Sequence, residues 1–133
     1  MPKIVLIEDE EGIRKNLTML LRIEGYDVFS APDGEAGVAL VRTENPDLIL
    51  CDVMMPILDG HGVLNALQAA PETAGIPFVF LTAMADRNDF RAGMTLGADD
   101  YLTKPFTREE VLQTVAARLR KNQSRRLETD VLQ

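Results

Sequence analysis

The sequence has one cysteine, Cys51, and one histidine, His61, among its 133 residues. A single cysteine excludes an internal disulfide and fits a reducing compartment. The same scarcity leaves no His/Cys set for a zinc site. No apolar run approaches the roughly 20 residues that cross a bilayer, and Met1-Pro2-Lys3 does not open a signal peptide. We therefore expect a cytoplasmic protein with no membrane contact.

Positive charge is also scarce, because 14 lysines and arginines stand against 21 aspartates and glutamates, giving a net charge of −7. Such an acidic chain is poorly suited to nonspecific nucleic-acid binding, and it shows no separate basic recognition helix. We expect no direct nucleic-acid contact. Hydrophobic residues make up 46% of the chain, which is ordinary for one globular domain.

Short apolar runs alternate with longer stretches of helical periodicity. The runs predict strands at residues 4–7, 26–30, 48–51, 78–81 and 101–102. Helices are predicted at residues 11–24, 33–45, 60–70, 86–97 and from 107 onward, with Asp33 as one cap and Thr107 to Glu110 as a capping box. This alternation predicts a doubly wound α/β fold: a five-stranded parallel sheet of flavodoxin-like order 2-1-3-4-5 with helices on both faces.

The end of the chain differs in composition from the rest. Basic residues cluster there at Arg118, Arg120, Lys121, Arg125 and Arg126. Because the predicted core is complete before them, we expect a domain over residues 1–121 and a helical extension or linker tail over residues 122–133.

Polar side chains follow four of the predicted strands. Glu8 and Asp9 follow the first, Asp52 the third, Thr82 the fourth and Lys104 the fifth. In the order 2-1-3-4-5 these strands are neighbours, so their carboxyl ends lie side by side. Any one of these residues would ordinarily be a turn former, cap or surface side chain, but their coincidence on four strand ends predicts one site.

The predicted site suits magnesium-assisted phosphoryl transfer. Clustered carboxylates repel one another, and Mg²⁺ relieves this with oxygen ligands. We expect direct ligation by Asp9 and Asp52, ligation through water by Glu8, and a contribution from the backbone carbonyl of Met54. Asp52 can then act as the carboxylate nucleophile.

Two further groups would complete this site. Lys104 would neutralise charge on the phosphoryl oxygens, and the Thr82 hydroxyl would bind one of them. Pro105 is a candidate for a cis peptide bond that would aim Lys104 inward.

These motifs resemble the receiver domain of bacterial two-component response regulators, over roughly residues 3 to 120. The matching segments are Ile7-Glu8-Asp9-Glu10, Asp52-Val53-Met54-Met55-Pro56 with Asp59-Gly60, Leu81-Thr82-Ala83, Gly97-Ala98-Asp99-Asp100-Tyr101 and Leu102-Thr103-Lys104-Pro105-Phe106.

The resemblance implies a phosphoacceptor switch rather than an enzyme with its own substrate. It implies phosphorylation of Asp52 by a sensor histidine kinase or phosphotransfer protein, with Mg²⁺ at Glu8, Asp9 and Asp52. On phosphorylation Thr82 would move toward the phosphate and Tyr101 would turn inward, altering the face formed by the fourth helix, fifth strand and fifth helix. A homodimer through that face and an output domain in a longer chain are further expectations.

The sequence departs from the common family pattern at three positions. The first acid is Glu8 where many receivers carry Asp. Met54 and Met84 lie two residues beyond Asp52 and Thr82, where neither can orient an attacking water as an acid or amide can. We therefore predict a long-lived phosphoryl group.

Three alternatives remain at this point. A haloacid-dehalogenase-like phosphatase would place a second Asp where Met54 stands. A flavodoxin-like cofactor binder would need a Gly/Ser/Thr-rich loop where the acids after the first strand stand. A pseudo-receiver would bind partners without phosphorylation.

Four further residues are expected to have structural roles only. We expect His61 to be a solvated helix-start residue and Cys51 a small buried hydrophobe. We assign Gly34 and Gly37 to turn and helix packing.

Overall fold

Five parallel strands form the centre of the computed structural model, which describes residues 1–83 and 97–132. The strands are β1 (Lys3–Ile7), β2 (Asp27–Ala31), β3 (Leu48–Asp52), β4 (Phe78–Ala83) and β5 (Asp100–Lys104). They are hydrogen-bonded in the order β2-β1-β3-β4-β5, and every pairing is parallel. The predicted fold class and sheet order are confirmed.

Helices join the strands, and two of them begin at the predicted caps. Within the described residues they are α1 (Glu11–Ile23), α2 (Gly34–Glu44), α3 (Gly60–Gln68), the one-turn α4 (Pro71–Ala74) and α5 (Arg108–Leu132). The Asp33 carboxylate accepts the Ala36 N–H at 2.8 Å, and Thr107 and Glu110 each accept the other's backbone N–H. No helix in this part of the chain combines the length and apolarity needed to cross a bilayer. The predicted helix that begins at Asp86 lies outside the described residues.

The sheet is buried on both sides by helices. Val5 and Ile7 of β1 pack in a cluster with residues of α2 and α3, whereas Ile4 and Leu6 pack in a second cluster with residues of α1 and α5. All four side chains are fully buried. Burial on both faces explains the unbroken apolar run of this strand, and it leaves the strand ends as the place where polar groups can gather.

Three strands run further than their apolar sequences predicted. Asp52 pairs with Leu81, Thr82 with Thr103, and Ala83 with Lys104. The apolar pattern ends earlier because Asp52, Thr82 and Lys104 are polar, whereas the backbone hydrogen bonding of the sheet continues through them. Asp52, Thr82 and Lys104 are therefore held by sheet hydrogen bonds rather than by loops. β2 is also displaced from its prediction, by one residue.

The end of α3 differs from its prediction for a local reason. The helix stops at Gln68 rather than Ala70, and Ala70 is extended with φ −112° and ψ 126°. A proline disfavours helical geometry in the residue before it, and Pro71 then opens the unpredicted α4. The first helix ends at Ile23, one residue before its prediction.

The last helix is unbroken from Arg108 to Leu132, a length of about 37 Å at 1.5 Å per residue. It packs on the sheet through Val111, Val115 and Leu119. The helix crosses the boundary predicted at residue 121, so residues 122–132 continue its axis.

Candidate functional site

The polar strand ends meet at the carboxyl edge of the sheet. Glu8 directly follows β1, Asp52 ends β3, Thr82 is the penultimate residue of β4, and Lys104 ends β5. These strands are consecutive in the sheet. The arrangement brings a carboxylate pair, a hydroxyl and an ammonium group to one edge, as the sequence predicted.

Three carboxylates form an acidic cluster at this edge. One oxygen each of Glu8, Asp9 and Asp52 lies within 4.8 Å of the others. Glu8 is fully buried and Asp52 is 5% exposed, whereas Asp9 is exposed. Asp9 is therefore the member of the cluster that solvent reaches most readily.

Lys104 is the cation that faces this cluster. Its ammonium nitrogen lies 2.6 Å from Oε1 of Glu8 and 3.3 Å from Oδ2 of Asp52. The Lys104–Pro105 peptide bond is cis, as predicted. A single ammonium group thus bridges two carboxylates from two other strands.

The pKa values of the acids reflect their crowding. Burial first, and then the hydrogen bond and charge of Glu8, raise the pKa of Asp52 to about 7. Burial would also raise the pKa of Glu8, but contacts with Asp52 and Lys104 outweigh it and leave that pKa lowered. The pKa of Lys104 is raised, because its two carboxylate partners outweigh the opposing effect of burial. Without a cation, Asp52 is therefore only partly ionised near neutrality.

The loop between β3 and α3 is fixed around Asp52 by backbone bonds. Val53 donates to the Leu81 carbonyl at 3.1 Å, and Gly60 donates to the Val53 carbonyl at 2.8 Å. A β-carbon on Gly60 would lie 2.4 Å from the Asp52 carbonyl oxygen, so only glycine fits there. Met54 is 71% exposed in this loop, and no described residue donates a hydrogen bond to its carbonyl oxygen.

Thr82 and Tyr101, the predicted switch pair, lie on adjacent strands. Thr82 is buried, and its hydroxyl donates to the Ala83 carbonyl at 3.3 Å. Tyr101 is half-buried, with its ring centroid 5.4 Å from that of Phe80. Met84, predicted to border the phosphoryl group, lies outside the described residues.

The prediction for His61 was right about its place at the start of α3 and wrong about its exposure. The side chain is half-buried rather than solvated, and its ring packs edge-on against Phe80 with centroids 5.2 Å apart. The cause is the close seating of α3, since Gly60 brings the start of that helix against Phe80.

The predictions for Cys51 and the α2 glycines are confirmed. Cys51 is fully buried, and burial first, then nearby carboxylates, raise the pKa of its thiol. Added β-carbons on Gly34 and Gly37 would collide with Leu58 and Ile7, respectively.

Sequence reasoning missed Arg14, which reaches the site from α1. Its guanidinium donates to the backbone carbonyl of Glu8 at 2.9 Å. Nothing in the sequence distinguishes Arg14 from the other basic residues of this amphipathic helix.

Comparison with known proteins identifies relatives over nearly the whole chain. The chain is 45% identical over 121 residues to the DNA-binding dual master transcriptional regulator RpaA of Synechocystis, covering 91% of the chain and 50% of that protein. It is 40% identical over 121 residues to the DNA-binding response regulator MtrA of Mycolicibacterium smegmatis, covering 91% of the chain and 52% of that protein. The chain thus spans about half the length of the relatives it matches.

A solved structure agrees with these sequence relatives. The chemotaxis protein CheY4 of Vibrio cholerae matches with a TM-score of 0.84 at 29% identity, over 88% of this chain and 98% of that one. The family model for the response regulator receiver domain matches residues 4–116. These matches disfavour the phosphatase and flavodoxin-like alternatives. With the acidic edge, the bridging lysine and the 2-1-3-4-5 sheet already in place, the chain belongs to the response regulator receiver domain family.

Proposed function

We propose that this chain is the phosphoacceptor switch of a two-component phosphorelay, with Asp52 as the acceptor. The observation that carries the proposal is the setting of Asp52 at the end of β3. Its carboxylate lies 3.3 Å from the Lys104 ammonium group and within 4.8 Å of oxygens from Glu8 and Asp9. An ammonium group and clustered oxygen ligands are the groups that phosphoryl transfer to a carboxylate requires.

The donor set fits Mg²⁺. All three side chains offer hard oxygen ligands, and burial, followed by the contact with Glu8, raises the pKa of Asp52. Asp9 and Asp52 would bind directly, with the carbonyl of Met54, to which no described residue donates a hydrogen bond, as a further oxygen. Glu8 would act through water, because its oxygens already accept bonds from Lys104 and the Glu10 N–H. Bound Mg²⁺ would supply charge neutralisation for the transferring phosphoryl oxygens.

The transfer forms a bond between a carboxylate oxygen of Asp52 and phosphorus. The bond from phosphorus to the donor nitrogen of a phosphohistidine breaks, and its electron pair stays with that nitrogen. Lys104 moves from its carboxylate partners toward the new phosphoryl oxygens, and the Thr82 hydroxyl exchanges the Ala83 carbonyl for one of them. Thr82 lies on β4, next to β3, and the Lys104 ammonium group already lies 3.3 Å from Asp52, so these movements are local side-chain rotations.

The switch would be read out through Tyr101. When Thr82 turns toward the phosphoryl group, the Tyr101 ring moves inward along Phe80, which it already contacts. This changes the surface formed by β5, α5 and the helix predicted at residues 86–97. A homodimer through that surface, or an output domain joined through residues 122–133, would respond to the change.

The donor would be a sensor histidine kinase or a phosphotransfer protein. A groove of about 480 Å³ lies beside Lys104, lined by α1, the segment 105–107 and the start of α5. Its position next to the site supports docking of a helical donor protein there. Binding to DNA by the relatives resides in proteins twice the length of this chain, so we assign no nucleic-acid contact to residues 1–121.

Labelling with acetyl phosphate tests the proposal without a kinase. Incubated with Mg²⁺, the chain should gain one phosphoryl group by intact mass, and Asp52→Asn should gain none. Asp27→Asn, which removes an exposed acid at the start of the edge strand β2, should label as the wild type does. Equal labelling of Asp52→Asn, or label on wild type after chelation of Mg²⁺, would refute the assignment.

A further inference from the structure

Arg14 makes a contact that the proposed reaction does not use. The peptide carbonyl of Glu8 lies just beyond β1, where the sheet ladder has ended. Its hydrogen-bond donor is the Arg14 guanidinium, at 2.9 Å. The Glu8 N–H is fixed separately, by the Ala31 carbonyl at 3.1 Å. One side of this residue is thus held by the sheet and the other by a side chain of α1.

The same arginine closes the turn from β1 into α1. Its own backbone N–H donates to the Glu10 carbonyl at 2.9 Å. Glu10 is the N-cap of α1, yet its side chain makes no capping bond. This N–H bond is the first backbone bond of the helix, so the contact that is specific to the arginine side chain is the one to the Glu8 carbonyl.

Asp9 depends on this turn more than its neighbours do. Glu8 has side-chain bonds of its own, to Lys104 and to the Glu10 N–H. Asp9 is exposed, and no hydrogen bond to its carboxylate is formed by any residue in the ranges 1–83 and 97–132. The direction of its side chain is set by the Glu8–Asp9 peptide, whose oxygen is the atom that Arg14 holds.

We propose that Arg14 is a positioning residue for the cation ligands: by holding the Glu8 carbonyl it orients the Glu8–Asp9 peptide and aims the Asp9 carboxylate into the acidic cluster. The inference rests on the proposed function, in which Asp9 is a direct ligand. Groups that orient metal ligands from outside typically contribute 10- to 100-fold in affinity.

The direction in which cation affinity changes when Arg14 is removed distinguishes a positioning role from an electrostatic one. Arg14 carries a positive charge beside an acidic cluster, so its removal should strengthen cation binding if only charge mattered. A positioning role predicts the opposite, because the loss of a correctly aimed ligand weakens binding. The two explanations cannot give the same result.

The chain supplies a matched control on the same helix. Arg22 also donates from its guanidinium to a backbone carbonyl, that of Val28, at 2.7 Å. Arg22 lies two turns from Arg14, at the end of α1 away from the acidic cluster. Replacing either arginine with methionine keeps most of the side-chain stem and removes one charge and one bond of the same kind.

The experiment measures Mn²⁺ binding to the unphosphorylated chain, from the free-ion signal in electron paramagnetic resonance, and urea unfolding by circular dichroism. Arg14→Met should weaken Mn²⁺ binding by about 10- to 100-fold. Arg22→Met should stay within about twofold of wild type. Both variants should unfold at lower urea concentrations than wild type. Wild-type or tighter Mn²⁺ affinity in Arg14→Met, or an equal loss in Arg22→Met, would overturn the inference.

A second variant keeps the test decisive if Arg14→Met does not fold. Arg14→Lys retains the charge but not the planar fork, and it should weaken Mn²⁺ binding by at least about twofold. Wild-type affinity there would count against positioning. Acetyl phosphate labelling of the wild type tests the proposed function separately, so a failure of that function cannot be mistaken for a failure of Arg14.

Discussion

The ammonium nitrogen of Lys104 lies 2.6 Å from Oε1 of Glu8, and this ion pair joins β5 to the residue that follows β1. The distance to Oδ2 of Asp52 is longer, at 3.3 Å. Glu8 is fully buried and the Lys104 side chain is 20% exposed, so the pair is little screened by solvent. In the unphosphorylated chain Lys104 is thus held mainly by Glu8, and it lies beside Asp52, the proposed phosphoacceptor.

This pairing predicts that Glu8→Gln lowers the pKa of Asp52. Burial is the largest cause of the raised pKa of Asp52, which is about 7, and Glu8 is the next largest. An amide removes the charge and frees Lys104 to pair with Asp52, so the pKa should fall by about one unit or more. Carboxyl-detected NMR titration without divalent cations would measure the shift. Glu11→Gln, which breaks the exposed pair with Lys15, should leave the Asp52 titration unchanged; a similar shift in both variants would contradict the prediction.

The raised pKa of Asp52 also predicts how stability depends on pH without divalent cations. The folded chain holds a proton that the unfolded chain releases at a lower pH, so the free energy of unfolding should fall as pH rises from about 5 to 8. Asp52→Asn removes this ionisation, and it should stabilise the chain by about 1–3 kcal/mol at pH 8 and by less at pH 5.

Urea unfolding of both proteins at several pH values would check this prediction. Added Mg²⁺ should stabilise wild type at pH 8 and narrow the gap to Asp52→Asn, because the cation binds the ionised form. A difference between the two proteins that is independent of pH would show that Asp52 does not carry the proton.

Two glycines make a matched pair for testing how tightly the acceptor is enclosed. A β-carbon at Gly60 would meet the Asp52 carbonyl at 2.4 Å and Phe80 at 2.9 Å, whereas one at Gly12 would meet nothing within 4 Å. Gly60→Ala should destabilise the chain by about 2 kcal/mol or more through overpacking. Gly12→Ala, in helical backbone of α1, should stabilise it by about 0.5–1 kcal/mol. Chemical unfolding of both variants measures the contrast, and equal effects would show that the loop can move away from Asp52.

The sequence predicted the sheet and the composition of the site because both follow from chain order. Apolar runs gave the strands, their alternation with helices gave the parallel order, and that order placed Glu8, Asp52 and Lys104 together. The strand ends were less predictable, since Asp52 and Thr82 are polar yet remain in the ladder. Backbone pairing continues where side-chain hydrophobicity stops.

Two contacts could not be predicted from the sequence, because they depend on the path of the folded chain. No local pattern indicates that Arg14 reaches back to the Glu8 carbonyl, because the bond depends on the path of the turn before α1. His61 was misjudged for a related reason. Its packing on Phe80 follows from the close approach of Gly60 to β3 and β4, which only the assembled sheet determines.

Met54 should govern how long the phosphoryl group persists on Asp52. Met54 lies two residues beyond Asp52 and is 71% exposed, and its thioether cannot orient water for attack on phosphorus as an amide can. Met54→Asn should therefore speed the loss of phosphoryl from Asp52 by about 3- to 30-fold, a modest positioning effect on an attacking water. The rate would be followed by intact mass after labelling with acetyl phosphate and removal of the donor. Met19→Asn, at a methionine of α1 that is 63% exposed, should keep the wild-type rate. If wild type already loses its label as fast as Met54→Asn does, side chains other than Met54 control the water, and the predicted long lifetime is wrong.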